Sequence, residues 1–164
     1  TGPGSWRWWA GSRAHAIGEG PAAEVGRRGP VTAADTLPPM EPTMFEQLGG
    51  HPFFQRLVDD FYDRVGADPS LRPMYPEEDL TGAKDRLRMF LEQYWGGPTT
   101  YSDQRGHPRL RMRHAPYPVG LDARNAWVGH MTAAVADADL SSELERELLA
   151  YFDHAATHMI NQVP

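Results

Sequence analysis

An all-helical domain is what this sequence predicts, and three observations carry that prediction. Apolar residues recur at three-to-four spacing in several windows, no window alternates polar and apolar as a half-buried strand does, and capping boxes and Gly/Pro stops punctuate the segments. The chain has 164 residues, 40% of them hydrophobic, which suits one domain with its own core. Cysteine is absent. That excludes disulfide scaffolds, thiolate zinc sites, iron–sulfur clusters and cysteine nucleophiles, and it leaves histidine as the soft nitrogen ligand. A net charge of −6 argues against a general nucleic-acid binder, although arginines crowd between Arg105 and Arg113. No window reaches the ~18 apolar residues of a membrane span. The N-terminus also lacks the apolar segment of a secretory or twin-arginine signal, despite Arg27-Arg28. The expected location is cytoplasmic.

Residues 1–42 are rich in Gly, Pro, Ala and Arg, show no apolar period and close on Pro38, Pro39 and Pro42. They read as a disordered extension ahead of a folded domain over 43–164, and Trp6, Trp8 and Trp9 within them receive no role. Thr43 and Glu46 form a capping box that starts a short helix, ended by Gly49-Gly50. Pro52 opens a second helix, whose stripe of Phe53, Phe54, Leu57, Val58, Phe61, Tyr62 and Val65 is to be buried and which Gly66 stops. Asp68-Pro69 caps a short turn, after which Pro73 and Pro76 pin an extended segment that presents Tyr75. A third helix, about Thr81 to Trp95, sets Ala83, Leu87, Phe90, Leu91 and Tyr94 inward and Lys84, Asp85, Arg88 and Glu92 outward, and Gly96-Gly97-Pro98 ends it. Residues 99–107 read as an ordered loop leading into a short helix that carries His114. Asp122 is the expected cap of a fourth long helix, with Ala126, Trp127, His130, Met131, Ala134 and Val135 on one side. Ser142 and Glu145 suggest a second capping box for the last helix, with Leu148, Leu149, Phe152, Ala155, Ala156, Met159 and Ile160 inward. Four substantial helices and several short ones result, with no strand and no internal repeat.

Among possible sites, His114 stands near the end of a segment that Pro108 can start and Pro116 must stop. A histidine held there can serve as an axial ligand, but beside Leu110 and Met112 it is as readily a packed or solvent-facing side chain, and spacing alone leaves both open. His154 and His158 lie one turn apart and could share a metal. The zinc-peptidase pattern needs Glu after the first His, where Ala155 stands, so a solvated flank is the expectation. His130 reads as core packing on the side of Trp127. No phosphate loop, nucleophile elbow or carboxylate pair stands out. Tyr62, Tyr75, Trp127 and Tyr94 place phenol and indole donors on faces expected to be buried, where a donor without a partner costs roughly 1–3 kcal/mol. They can bond to the backbone or converge on a ligand.

The runs Arg86-Leu-Arg-Met-Phe-Leu-Glu-Gln-Tyr-Trp-Gly-Gly-Pro98 and His107-Pro-Arg-Leu-Arg-Met-Arg-His-Ala-Pro116, with Tyr62, Tyr75 and Trp127 around them, closely resemble the truncated haemoglobins of group II, the O type. The likeness spans about Met44 to Gln162. It implies a two-over-two helical sandwich around haem b, with His114 as the proximal ligand to iron. The resemblance gives Tyr62, Tyr75 and Trp127 the distal role of stabilising a ligand, and Ala83 falls where ordinary globins carry a distal histidine. Leu87, Phe90 and Leu91 would wall the haem cavity, and Arg86 and Arg113 would meet the haem propionates.

The same resemblance implies oxygen binding at five-coordinate iron, with nitric oxide, carbon monoxide and peroxide as further ligands. Donors in a dry pocket stabilise the charge that bound oxygen takes on, so release should be slow and a ligand-holding or redox role is favoured over simple oxygen transport. Alternatives are a nitric oxide dioxygenase or a peroxidase using the same pocket, sulfide binding by the ferric form, and a haem-free helical interaction module. A reductase and a second copy of the chain are the partners to consider.

Overall fold

The computed structural model describes residues 40–162. The extension expected over 1–42 therefore lies almost wholly outside the described residues, with its three tryptophans. Thr43 begins the helical part as the capping box requires. Its hydroxyl accepts from the Glu46 N–H at 3.2 Å, and the Glu46 carboxylate accepts the Thr43 N–H at 2.8 Å. Helix α1 (Met44–Gln47) follows, and Gly49 and Gly50, at φ of 100° and 67°, turn the chain into α2 (His51–Ala67). All seven residues of the predicted α2 stripe are buried. The helix runs to Ala67, one residue past the predicted stop.

Asp68 closes α2 and turns the chain, its carboxylate accepting the Ser70 N–H at 2.7 Å. A 3-10 turn (Arg72–Met74) then takes in Pro73, which was expected in extended backbone; extended backbone is reached at Tyr75. Helix α3 (Thr81–Tyr94) ends where predicted, on Gly96 with φ of 96°. A Cβ on the next residue, Gly97, would lie 2.7 Å from the Phe45 ring, so only glycine lets α1 approach there.

The loop expected over 99–107 contains a helix instead, α4 (Thr100–Arg105). Tyr101 supplies the reason. It is 4% exposed and sets its ring edge-on to Phe90 at 5.6 Å, while Gln93 of α3 holds Ser102 through both amide atoms at 2.7 and 2.9 Å. Two faces of α3 also depart from expectation. Glu92 is buried, bonded to His51 Nδ1 at 2.7 Å and to Arg88, whereas Tyr94 is 42% exposed and stacks on Tyr151 at 4.1 Å.

Helix α5 (Leu110–His114) is followed by α6 (Leu121–Ala136) and α7 (Ser142–Met159). Gly120, not Asp122, is the N-cap of α6; Asp122 lies in the first turn, where its charge favours the helix dipole without bonding the end. Ser141 rather than Ser142 caps α7, its hydroxyl accepting from the Leu144 N–H at 3.4 Å. The pair α2 and α3 packs on the pair α6 and α7, with α2 against α6. This is the two-over-two helical sandwich, and no strand occurs among the described residues. No described helix is long and apolar enough to cross a membrane.

Candidate functional site

His114 is the last residue of α5, whose start is forced by the fully buried Pro108 and by Arg109, held left-handed at φ 42°. The imidazole Nδ1 stands 2.7 Å from the Leu110 carbonyl oxygen. A carbonyl can only accept, so Nδ1 carries the proton and Nε2 keeps its lone pair. That is the tautomer a metal ligand needs. Around it the main chain is clamped from outside. The Asn161 amide donates to the carbonyls of His114 (3.1 Å) and Tyr117 (2.9 Å), and its oxygen accepts the Val119 N–H at 3.0 Å. Arg113 donates to the carbonyls of Pro108 and Arg105, both at 2.8 Å.

Three aromatic residues with polar tips come together from separate elements: Tyr62 on α2, Tyr75 in the corner before α3, and Trp127 on α6. The Tyr62 and Tyr75 rings meet edge-on at 5.6 Å, and Phe61, wholly buried, packs on Trp127 at 5.0 Å. Tyr62 and Trp127 both lie close enough to the Tyr75 hydroxyl to influence its ionisation. Burial pushes the Tyr62 phenol far above its ordinary range, and the neighbouring Tyr75 adds to the effect; burial raises Tyr75 too, against the opposing pull of Tyr62 and Trp127. Both phenols therefore stay protonated. Arg72 fixes this corner by donating to the carbonyls of Tyr75 (2.9 Å), Glu77 (2.8 Å) and Glu78 (2.9 Å).

One cavity of about 640 Å³ joins the two groups. Its lining includes His114, Tyr62, Tyr75 and Trp127, together with Ala83, Arg86, Leu87, Phe90, Leu91 and Arg113. The residues that the resemblance named for the site thus face one space, which Tyr94 does not line. Arg86 is engaged there by the Glu77 carboxylate. Sequence reasoning missed several further wall residues, among them Arg105, Tyr117, Val119, Arg124 and Tyr151. It missed the Asn161 and Arg72 braces as well. Loop and helix-end residues of this kind give no periodic signal; only the crowding of arginines hinted at Arg105.

The other histidines fall outside the cavity. His130, expected as core packing beside Trp127, instead turns to Asp68, with Nε2 2.6 Å from the carboxylate. His154 and His158 are exposed on α7, and no group of three or more His, Asp or Glu able to hold a metal ion occurs among the described residues. A bare metal ion would find one imidazole and little else. An apolar slot with a single imidazole and several arginines fits a larger, flat, metal-bearing ligand that carries acidic groups.

Comparison with known proteins gives the same picture. The family model described as bacterial-like globin matches residues 43–161. A group 2 truncated haemoglobin of Bacillus subtilis is 39% identical over 113 residues, covering 69% of this chain and 85% of its own. Among solved structures, the thermostable haemoglobin of the actinobacterium Thermobifida fusca is 55% identical with a TM-score of 0.74, covering 75% of this chain and all of its own. The truncated oxygen-avid haemoglobin from Bacillus subtilis is 37% identical with a TM-score of 0.69, covering 73% of this chain and 100% of its own.

Proposed function

This chain belongs to the bacterial-like globins as a truncated haemoglobin of group 2, a haem protein that binds oxygen; from that premise we propose that it holds its ligand tightly, with His114 ligating the iron of a b-type haem and Tyr62, Tyr75 and Trp127 securing the ligand. Haem supplies a ferrous iron that binds oxygen and passes negative charge to it. The remaining chemistry is that of the side chains.

His114 offers Nε2 because Nδ1 is committed to Leu110. Trp127 has only a proton to give, and buried Tyr62 and Tyr75 keep theirs. The apolar wall of Ala83, Leu87, Phe90 and Leu91 excludes water, so a bond from these donors is not weakened by competition. Arg86 and Arg113 suit acidic haem substituents. If each donor contributes about 1–3 kcal/mol, at ~1.4 kcal/mol per tenfold two donors slow ligand escape by tens to many thousands of times. The relative from Bacillus subtilis described as oxygen-avid supports this reading. Slow escape suits retention or redox use of oxygen better than delivery.

The observation that carries the reading is the shared cavity, with an imidazole in the ligating tautomer and three convergent donors on its wall. The absorption spectrum of the reduced protein, with and without oxygen, tests it. Wild type should show a haem band that shifts on oxygenation, and His114→Ala should lose or alter that band. An unchanged spectrum in the variant would overturn the assignment of His114. A fast, stoichiometric conversion of nitric oxide to nitrate by the oxygenated protein would instead favour the dioxygenase use of the same pocket.

A further inference from the structure

We propose that the surface formed by residues 105–121 is a docking face for an acidic one-electron-donor protein, which reduces the haem iron through the wall that carries His114; the inference rests on the reading of that wall as the iron-ligating side.

Charge is the first observation. The chain carries a net charge of −6, yet between Asp103 and Asp122 it has no Asp or Glu and four arginines, Arg105, Arg109, Arg111 and Arg113, all exposed. Elsewhere Arg72 donates to carbonyls, while Arg64, Lys84, Arg86, Arg88 and Arg124 each meet a carboxylate. Among the described residues none of the four on this face does. Arg111 donates to the His158 carbonyl at 2.7 Å; Arg113, which lines the cavity and suits an acidic haem substituent, adds nothing to the charge offered to a partner. A guanidinium held by a neutral carbonyl is fixed in place and keeps its full charge for a partner.

Apolar exposure is the second. Of the five large hydrophobic side chains exposed among the described residues, three lie here: Met112 at 66%, Leu121 at 53% and Tyr117 at 38%. Met, Tyr and Arg without carboxylates are what the centre of a protein interface is enriched in. Arg109, in left-handed backbone that a bulky residue rarely adopts, adds a local strain of the kind kept at working surfaces.

Position selects the partner. Arg105, Arg113 and Tyr117 are exposed outside and line the cavity inside, so the wall there is one side chain thick. Oxygen binding needs ferrous iron, and each oxidation must be reversed by an electron from outside the cavity. One electron leaves the donor and converts ferric to ferrous iron; no bond breaks. A small, salt-sensitive contact with an apolar centre and a basic rim is how transient redox partners meet. An extended polyanion such as nucleic acid would also have to face the negative charge of the rest of the chain.

The test uses the haem-loaded protein and a reduced acidic [2Fe–2S] ferredoxin as the probe, with dithionite as a small-molecule control. Raising salt from about 20 to about 300 mM should slow reduction by ferredoxin by about tenfold or more. The double variant Arg109→Glu, Arg111→Glu, whose residues do not line the cavity, should slow it about tenfold at low salt. Its absorption spectrum and its reduction by dithionite should be unchanged. Amide NMR signals of residues 105–121 should shift when ferredoxin is added to wild type and stay in place in the variant. Equal ferredoxin rates in the two proteins, or shifts confined to another face, would overturn the proposal. So would a variant that loses binding to phosphatidylserine vesicles or duplex DNA while its ferredoxin rate holds. Absence of haem absorption in wild type would remove the His114 reading and this proposal with it, and is told apart because the NMR titration reports docking independently.

Discussion

Tyr62 and Trp127 are fixed by packing, whereas His114 is fixed by hydrogen bonds to main chain. On the aromatic side, Phe61 is wholly buried and touches both the Tyr62 ring (4.9 Å) and the Trp127 ring (5.0 Å), and Phe152 closes on Trp127 at 6.0 Å. On the histidine side, α5 has five residues and none of them is buried. A helix that short does not hold itself. Its geometry comes from Pro108, from Arg113 and from an asparagine 47 residues away in sequence. One side of the cavity is thus set by volume and the other by donor and acceptor count, so the two should fail differently when damaged.

The largest effect is expected from the packed side. Phe61→Ala removes a ring that contacts two donors and should cost about 3–5 kcal/mol of stability, read from the denaturant midpoint. A loss under about 1 kcal/mol would mean that packing does not hold the aromatic side. Next comes the clamp. Asn161→Ala deletes bonds to two carbonyls and one N–H, and about 1–3 kcal/mol should go. Haem should leave faster from this variant in a transfer assay while the oxygen dissociation rate keeps its wild-type value; a changed rate would show that the two sides are not independent.

The smallest effect concerns Asp68, below the aromatic side. Its carboxyl lies well below the usual carboxylate range, first because the Ser70 hydroxyl donates to it and then because His130 does. A depressed value in the fold means that its contribution is fully present above the ordinary carboxylate pKa of about 4 and fades as pH falls through the folded value. Asp68→Asn should therefore lower the neutral plateau of a stability-against-pH curve modestly and flatten its acid limb, the two curves converging at low pH. A variant curve parallel to wild type down to low pH would contradict this.

The same contrast explains what the sequence disclosed. Helix α2 was legible because packing leaves a period: its whole stripe is buried as spaced. The capping box at Thr43 was legible because both partners sit three residues apart. Helix α4 was not, since its six mostly polar residues show no period and Tyr101 is held by Phe90 and Gln93 of another helix. Glu92 reads as a surface charge until His51 and Arg88 are seen around it. Within the site, spacing left His114 open between ligand and surface residue, and the family likeness pointed to its role and to the aromatic trio. Asn161 and Arg72 escaped both routes, because a side chain that braces distant main chain leaves no mark near the residues it holds.

The central claim is that donors on the aromatic side hold the ligand, and the oxygen dissociation rate tests it most directly. Stopped-flow release from Trp127→Phe, which keeps most of the volume and removes the indole N–H, should be about five- to a hundredfold faster than from wild type. An unchanged rate would make Trp127 a packing residue and contradict the account.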